Sequence, residues 1–151
     1  MKRWICGALA ATSLFLGGRG SDIAKLEAVK TLEVSVRNGQ VRLWTDTGSL
    51  GIGRTLPDAF ENLKETASGE VFLETAEYLL LTPDCKALLD DLWSYLRPSC
   101  VVCLLDGEGD LDEVGTYLDA HQPQNTLMDY RAGERKLPTL QIRGERMIIV
   151  F

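Results

Sequence analysis

The stretch Leu32-Glu33-Val34-Ser35-Val36-Arg37-Asn38-Gly39-Gln40-Val41-Arg42-Leu43-Trp44-Thr45 decides the fold. Apolar and polar residues alternate on both sides of Asn38-Gly39, a pair that tolerates the positive φ values of a two-residue type I′ turn. A loop of that length sets Val36 opposite Val41 and Val34 opposite Leu43. Those residues share one face, while Ser35, Arg37, Arg42 and Trp44 take the other. Both arms agree on the buried side, which specifies the register of an antiparallel hairpin.

Downstream, Gly48-Ser49-Leu50-Gly51-Ile52-Gly53 reads as a glycine-rich turn that leads into a helix. Thr55 is placed as its N-cap with Asp58 three residues on, and Pro57 sits in the first turn, where its missing N–H costs nothing. Leu56, Ala59, Phe60, Leu63 and Ala67 recur at helical spacing, and Gly69 is expected to stop the helix. Glu61, Lys64 and Glu65 face water in this arrangement.

Val71–Leu73 and Tyr78–Thr82 are short strand candidates. Pro83-Asp84 opens a helix predicted to run to about Leu96, with Ala87, Leu88, Leu92, Tyr95 and Leu96 inward and Arg97-Pro98 ending it. Cys100–Leu105 is a continuous apolar run, the pattern of a strand covered on both faces. Asp110–Ala120 forms the next helix, with Asp110 and Glu113 as a capping box and Leu111, Val114 and Leu118 on one face. Gln122–Leu137 is left as the longest loop, and Leu140–Ile142 with Met147–Val150 closes the chain as paired segments around Arg143–Arg146. The expected class is α/β (α+β): a mixed β-sheet with an N-terminal hairpin, packed against about three helices.

At 151 residues one domain is the expectation. A hydrophobic fraction of 45% and a charged fraction of 25% argue against disorder. The formal net charge of −6 argues against a nucleic-acid partner, which needs a basic face to displace counterions. The N-terminus departs from this average: Lys2 and Arg3 precede the apolar run Trp4–Leu16, with no charge until Arg19. That is the pattern of a signal-like export segment over residues 1–20, shorter than a bilayer span, followed by one domain over residues 21–151.

Four motifs suggest chemistry without supplying it. Gly48, Gly53, Arg54 and Thr55 have the spacing of a phosphate-binding loop, and Val101–Asp106 imitates the strand whose acid holds magnesium. That chemistry needs a compact lysine ammonium on the phosphates; Arg54 stands there instead, and an amphipathic hairpin arm precedes the loop. Asp106, Glu108, Asp110, Asp112 and Glu113 could suggest a calcium loop, but Leu111 and Tyr117 occupy the positions of the required Gly and Glu. Cys100 and Cys103 have redox or zinc spacing, yet on a strand they point to opposite faces, and Cys85 and His121 are the only spare ligands. Cys6 falls within the apolar N-terminal run, and His121 reads as a solvated or capping residue after a helix. No catalytic, cofactor-binding or metal-ligating residue is assigned, and no cofactor is expected.

The order of segments carries a resemblance. An export segment and an early strand precede Gly53-Arg54-Thr55-Leu56-Pro57-Asp58-Ala59-Phe60-Glu61-Asn62-Leu63. Then follow Val71-Phe72-Leu73-Glu74-Thr75-Ala76-Glu77-Tyr78-Leu79-Leu80-Leu81, a helix, and Leu96-Arg97-Pro98-Ser99-Cys100-Val101-Val102. This resembles the N-terminal domain of the Ger(x)C spore-germination proteins, the lipoprotein C subunits of germinant receptors, over most of residues 21–151. The resemblance implies a non-enzymatic component on the outer face of a spore or cell membrane, in protein–protein contact with membrane-embedded receptor subunits. Two departures stand out. Family members carry a lipid-accepting Cys after the apolar run, where this chain has Gly17-Gly18-Arg19-Gly20, so the segment is expected either to be cut or to remain as a weak tether. Family proteins also continue through further domains, so a truncated product or a stand-alone first domain is expected here.

Overall fold

Strands β2 (Thr31–Arg37) and β3 (Gln40–Thr45) pair antiparallel, with Val36 opposite Val41 and Val34 opposite Leu43 as the alternation requires. Asn38 and Gly39 carry the connecting turn at φ 53° and 73°. The computed structural model describes residues 25–134 and 136–151. The export segment expected over residues 1–20, with Cys6 inside it, lies outside the described residues.

The hairpin is one end of a seven-stranded mixed sheet. Outside β3 lies β4 (Leu50–Gly53); on the other flank follow β6 (Tyr78–Leu81), β7 (Val101–Asp106), β8 (Thr139–Arg143) and β9 (Arg146–Val150). Strands β2, β6, β7 and β8 run parallel, and β9 returns antiparallel to β8 as the expected closing hairpin. A separate two-stranded parallel sheet joins β1 (Leu26–Ala28) to β5 (Glu70–Phe72). The architecture is α+β, as expected.

Two cores lie on opposite sides of the sheet. On one, Leu32, Val34, Leu43, Leu79, Leu81 and Val102 meet α1 (Leu56–Thr66), α2 (Leu89–Leu92) and α4 (Leu127–Arg131). On the other, Leu80, Cys103, Leu105, Leu140 and Ile142 meet Leu111, Val114 and Leu118 of α3 (Leu111–His121). Strand β7 is therefore covered on both faces, which is why it reads as an unbroken apolar run.

Helix α1 begins as expected: Thr55 is extended and its hydroxyl accepts from the Asp58 amide. Leu56, Ala59, Phe60 and Leu63 are buried, and the Phe60 ring stacks on Tyr95 with centroids 3.9 Å apart. Its end differs from expectation. The C-cap is Ala67 in an extended conformation, and Gly69 instead lets the chain pass against the carbonyl of Lys25, where a Cβ would meet that oxygen at 1.9 Å.

The glycine-rich stretch before α1 is a strand, not an open turn. Residues Leu50–Gly53 pair with β3, Gly51 opposite Leu43 and Gly53 opposite Val41. Both glycines face α1, so the helix backbone rests directly on the strand.

The helix expected over Pro83–Leu96 is reduced to a 3₁₀ segment, Pro83–Leu88, followed by the single α turn of α2. A 3₁₀ segment turns every three residues, so it displaces the inward face from that of an α-helix. Cys85, Leu89, Leu92 and Leu96 are buried, Leu88 and Tyr95 are half-buried, and Ala87 is exposed. The expected loop Gln122–Leu137 contains α4, opened by a reciprocal capping box between Thr126 and Asp129. At α3 the Asp110 half of the expected box forms, its Oδ1 accepting from the amides of Asp112 and Glu113.

One buried polar hub ties the small sheet to the large one. The Glu27 carboxylate accepts from Ser49 Oγ at 2.7 Å, Ser68 Oγ at 2.7 Å and Thr47 Oγ1 at 3.0 Å. These donors, Ser49 and Ser68 foremost, hold its pKa below the ordinary carboxylate value against the opposing effect of burial.

Candidate docking surface on the uncovered half of the sheet

Helix α3 packs over β6, β7 and β8 and reaches the start of β2, where Gly115 lies against Thr31, and no described helix covers the same side of β3, β4 and the rest of β2. The residues presented there follow from the hairpin's alternation. Glu33, Ser35 and Arg37 project from β2, Arg42 and Trp44 from β3, and Leu50 and Ile52 from β4. Cross-strand register arranges them in rows: Glu33, Trp44 and Leu50 in one, Ser35, Arg42 and Ile52 in the next.

The segment Glu108-Gly109-Asp110 and the start of α3 wall this face on one side. Together they enclose an open trough of about 460 Å³ whose floor is Glu33, Ser35, Arg42 and Trp44. Arg37 reaches across to form an ion pair with Glu108, and Asp110 is engaged with the amides of α3. Trp44 is 44% exposed on this face, with half-buried Leu50 beside it in the same row.

Glu33 is half-buried, and its carboxylate makes no hydrogen bond or ion pair among the described residues. Burial pushes its carboxyl above the ordinary value, more than the nearby charges of Arg37 and Arg42 pull it down, and Glu108 adds to the upward push. A half-desolvated carboxylate beside an exposed indole costs folding free energy where it stands; what it can do is receive a donor from outside.

The motifs weighed in the sequence fall elsewhere or dissolve into structure. Gly48 belongs to the β3–β4 turn, Gly53 to strand β4, and Arg54 and Thr55 to the approach to α1, so the stretch forms a paired edge strand rather than a loop wrapped round a phosphate. Of the acidic cluster, Asp106 pairs with Arg143 at 2.6 Å, Glu108 pairs with Arg37, and Asp110 caps α3. Among the described residues no group of His, Cys, Asp and Glu converges as a metal site.

Cys100 and Cys103 are buried in opposite cores as free thiols, and burial raises each to about 12. His121 stacks on Tyr117, with its Nδ1 2.8 Å from the Tyr117 carbonyl oxygen at the end of α3. The trough was missed in the sequence, although an outward tryptophan on the polar face of a hairpin was its signal.

At the far edge of the sheet, β9 pairs with β8 and with no other described strand. Its Met147 and Ile149 lean on the second core, while Ile148 and Val150 are exposed on the opposite face at 55% and 44%. No described helix is long and apolar enough to cross a membrane.

Fold and surface together define an α+β domain with an uncovered, polar-rimmed sheet face. No family model, curated protein or solved structure matches the chain.

Proposed function

We propose that this chain is a non-enzymatic binding module, a component related to the C subunit of germinant receptors, that acts by protein–protein contact at a membrane surface. The observation that carries the binding role is the uncovered half of the sheet, with Trp44 exposed at its centre and a charged wall beside it. Such a face, rimmed by polar groups, suits a partner polypeptide better than solvent. The order of hairpin, Thr55-capped helix, strand Tyr78–Leu81 and buried strand Val101–Asp106 supports the receptor-related reading. Under that reading the partners are membrane-embedded receptor subunits, and the N-terminal segment delivers the domain to the outer face.

Affinity purification of the tagged chain from its own host tests this. Co-purification of a multi-spanning receptor subunit encoded beside it, reduced when Trp44 is replaced by Ala, is the expected result. Recovery without such a subunit rejects the receptor role and leaves an exported binding domain of another kind. Mass spectrometry of the mature N-terminus reports cleavage, and with it whether the domain is released or tethered.

A further inference from the structure

We propose that the trough is built to receive a lysine side chain of an extended partner segment, its ammonium seated between the Glu33 carboxylate and the Trp44 indole. This deepens the docking role assigned to the same face and rests on it. Glu33 and Trp44 stand directly opposite each other across β2 and β3, so their side chains rise from the sheet as neighbours.

Each lacks what an ammonium supplies. Glu33 is half-buried with no donor among the described residues, and Trp44 offers an exposed ring to a cation. Leu50, next in the same row, provides an apolar flank along which the lysine methylenes can lie.

The surrounding charges favour the same occupant. Arg37 is committed to Glu108, and Arg42 lies in the neighbouring row without bonding Glu33. With Glu108 on Arg37 and Asp110 held by the amides of α3, Glu33 is the trough carboxylate left without a hydrogen-bonded donor. The trough's volume of about 460 Å³ accommodates one long side chain with its flanking backbone.

The test uses the full chain, ¹⁵N-labelled, with the Trp44 indole resonance identified through Trp44→Phe. Three acetylated and amidated tripeptides are titrated: Val-Lys-Val, its norleucine analogue, which differs only in the ammonium, and Val-Asp-Val. The lysine peptide is expected to shift the Trp44 indole and the Glu33 amide saturably, with an affinity about tenfold above that of the norleucine peptide. Glu33→Gln is expected to erase that difference while leaving the spectrum elsewhere unchanged. Equal binding of the lysine and norleucine peptides, tighter binding of the aspartate peptide, or a lysine preference that survives Glu33→Gln overturns the proposal. None of these outcomes depends on the receptor subunit, so the pocket and the docking role fail separately.

Discussion

A Cβ placed on Gly51 would lie 2.3 Å from the carbonyl oxygen of Ala59. The same holds one pleat further on, where a Cβ on Gly53 would come 2.3 Å from the amide nitrogen of Ala59. The backbone of helix α1 lies directly against β4, and that closeness explains Gly53 of the phosphate-loop spacing, whereas Gly48 supplies a turn at φ 88°.

Gly51→Ala and Gly53→Ala should each destabilise the domain by about 1–3 kcal/mol through overpacking, read as a lower urea midpoint. Arg54→Ala, at an exposed position, should change stability by no more than about 0.5 kcal/mol. Calorimetric titration with nucleotide should give no saturable heat; micromolar binding lost in Arg54→Ala would restore the phosphate reading.

Glu27→Ala strands the hydroxyls of Thr47, Ser49 and Ser68 and should cost about 1–3 kcal/mol. The pH dependence has a definite sign. Because the folded-state pKa lies below the unfolded value, the carboxylate's contribution is fully present above the ordinary carboxylate range and is lost as pH falls through the lowered folded value. Urea unfolding at a series of pH values should therefore show a steeper acid loss in the parent than in Glu27→Gln.

Glu33 has the opposite sign. Burial raises its folded-state pKa, so below the unfolded value both states are protonated and the group is neutral to stability. As pH rises through the folded value, the native state must release a proton that it holds more tightly, and stability falls. Glu33→Gln should consequently raise the urea midpoint at neutral pH and leave it unchanged at acid pH. A lower midpoint at neutral pH would show that Glu33 has a stabilising partner.

Cys100 and Cys103, raised by burial to about 12, carry almost no thiolate at pH 8. Cys85 is raised by burial too. Peptide mapping after thiol labelling should find these three unmodified in native buffer and labelled in urea, at a rate that follows unfolding. Rapid labelling of the native protein would mean that one of the cores opens.

Legibility in the sequence varied with the range of the interaction involved. The Asn38-Gly39 hairpin, the Thr55 and Asp110 caps and the buried strand at Cys100–Leu105 were readable because their signals lie within a few residues. The capping box of Thr126 and Asp129 is equally local, but the five-residue helix that it opens is too short to leave a periodic signal. Over Pro83–Leu96 the apolar spacing was present, but it could not distinguish the 3₁₀ winding through Leu88 from an α-helix.

Other features are decided only by what packs where. Strand β4 has two glycines and no clear alternation; it is a strand because β3 offers an edge to pair with and α1 lies on its glycines. The trough has the same origin. Trp44 was legible as an outward residue of a hairpin and the strand register adds Glu33, but Glu108 and Asp110 reach them only because β2, β6 and β7 run parallel and bring the end of β7 to the same end of the sheet as that of β2.

The sequence by itself therefore determined the elements that close on themselves, since alternation, turn and cap act between near neighbours. Only the tertiary structure decided which faces stay open and which charges meet there. Arg37 and Glu108, 71 positions apart, are joined by the pairing of strands between them and not by any pattern along the chain.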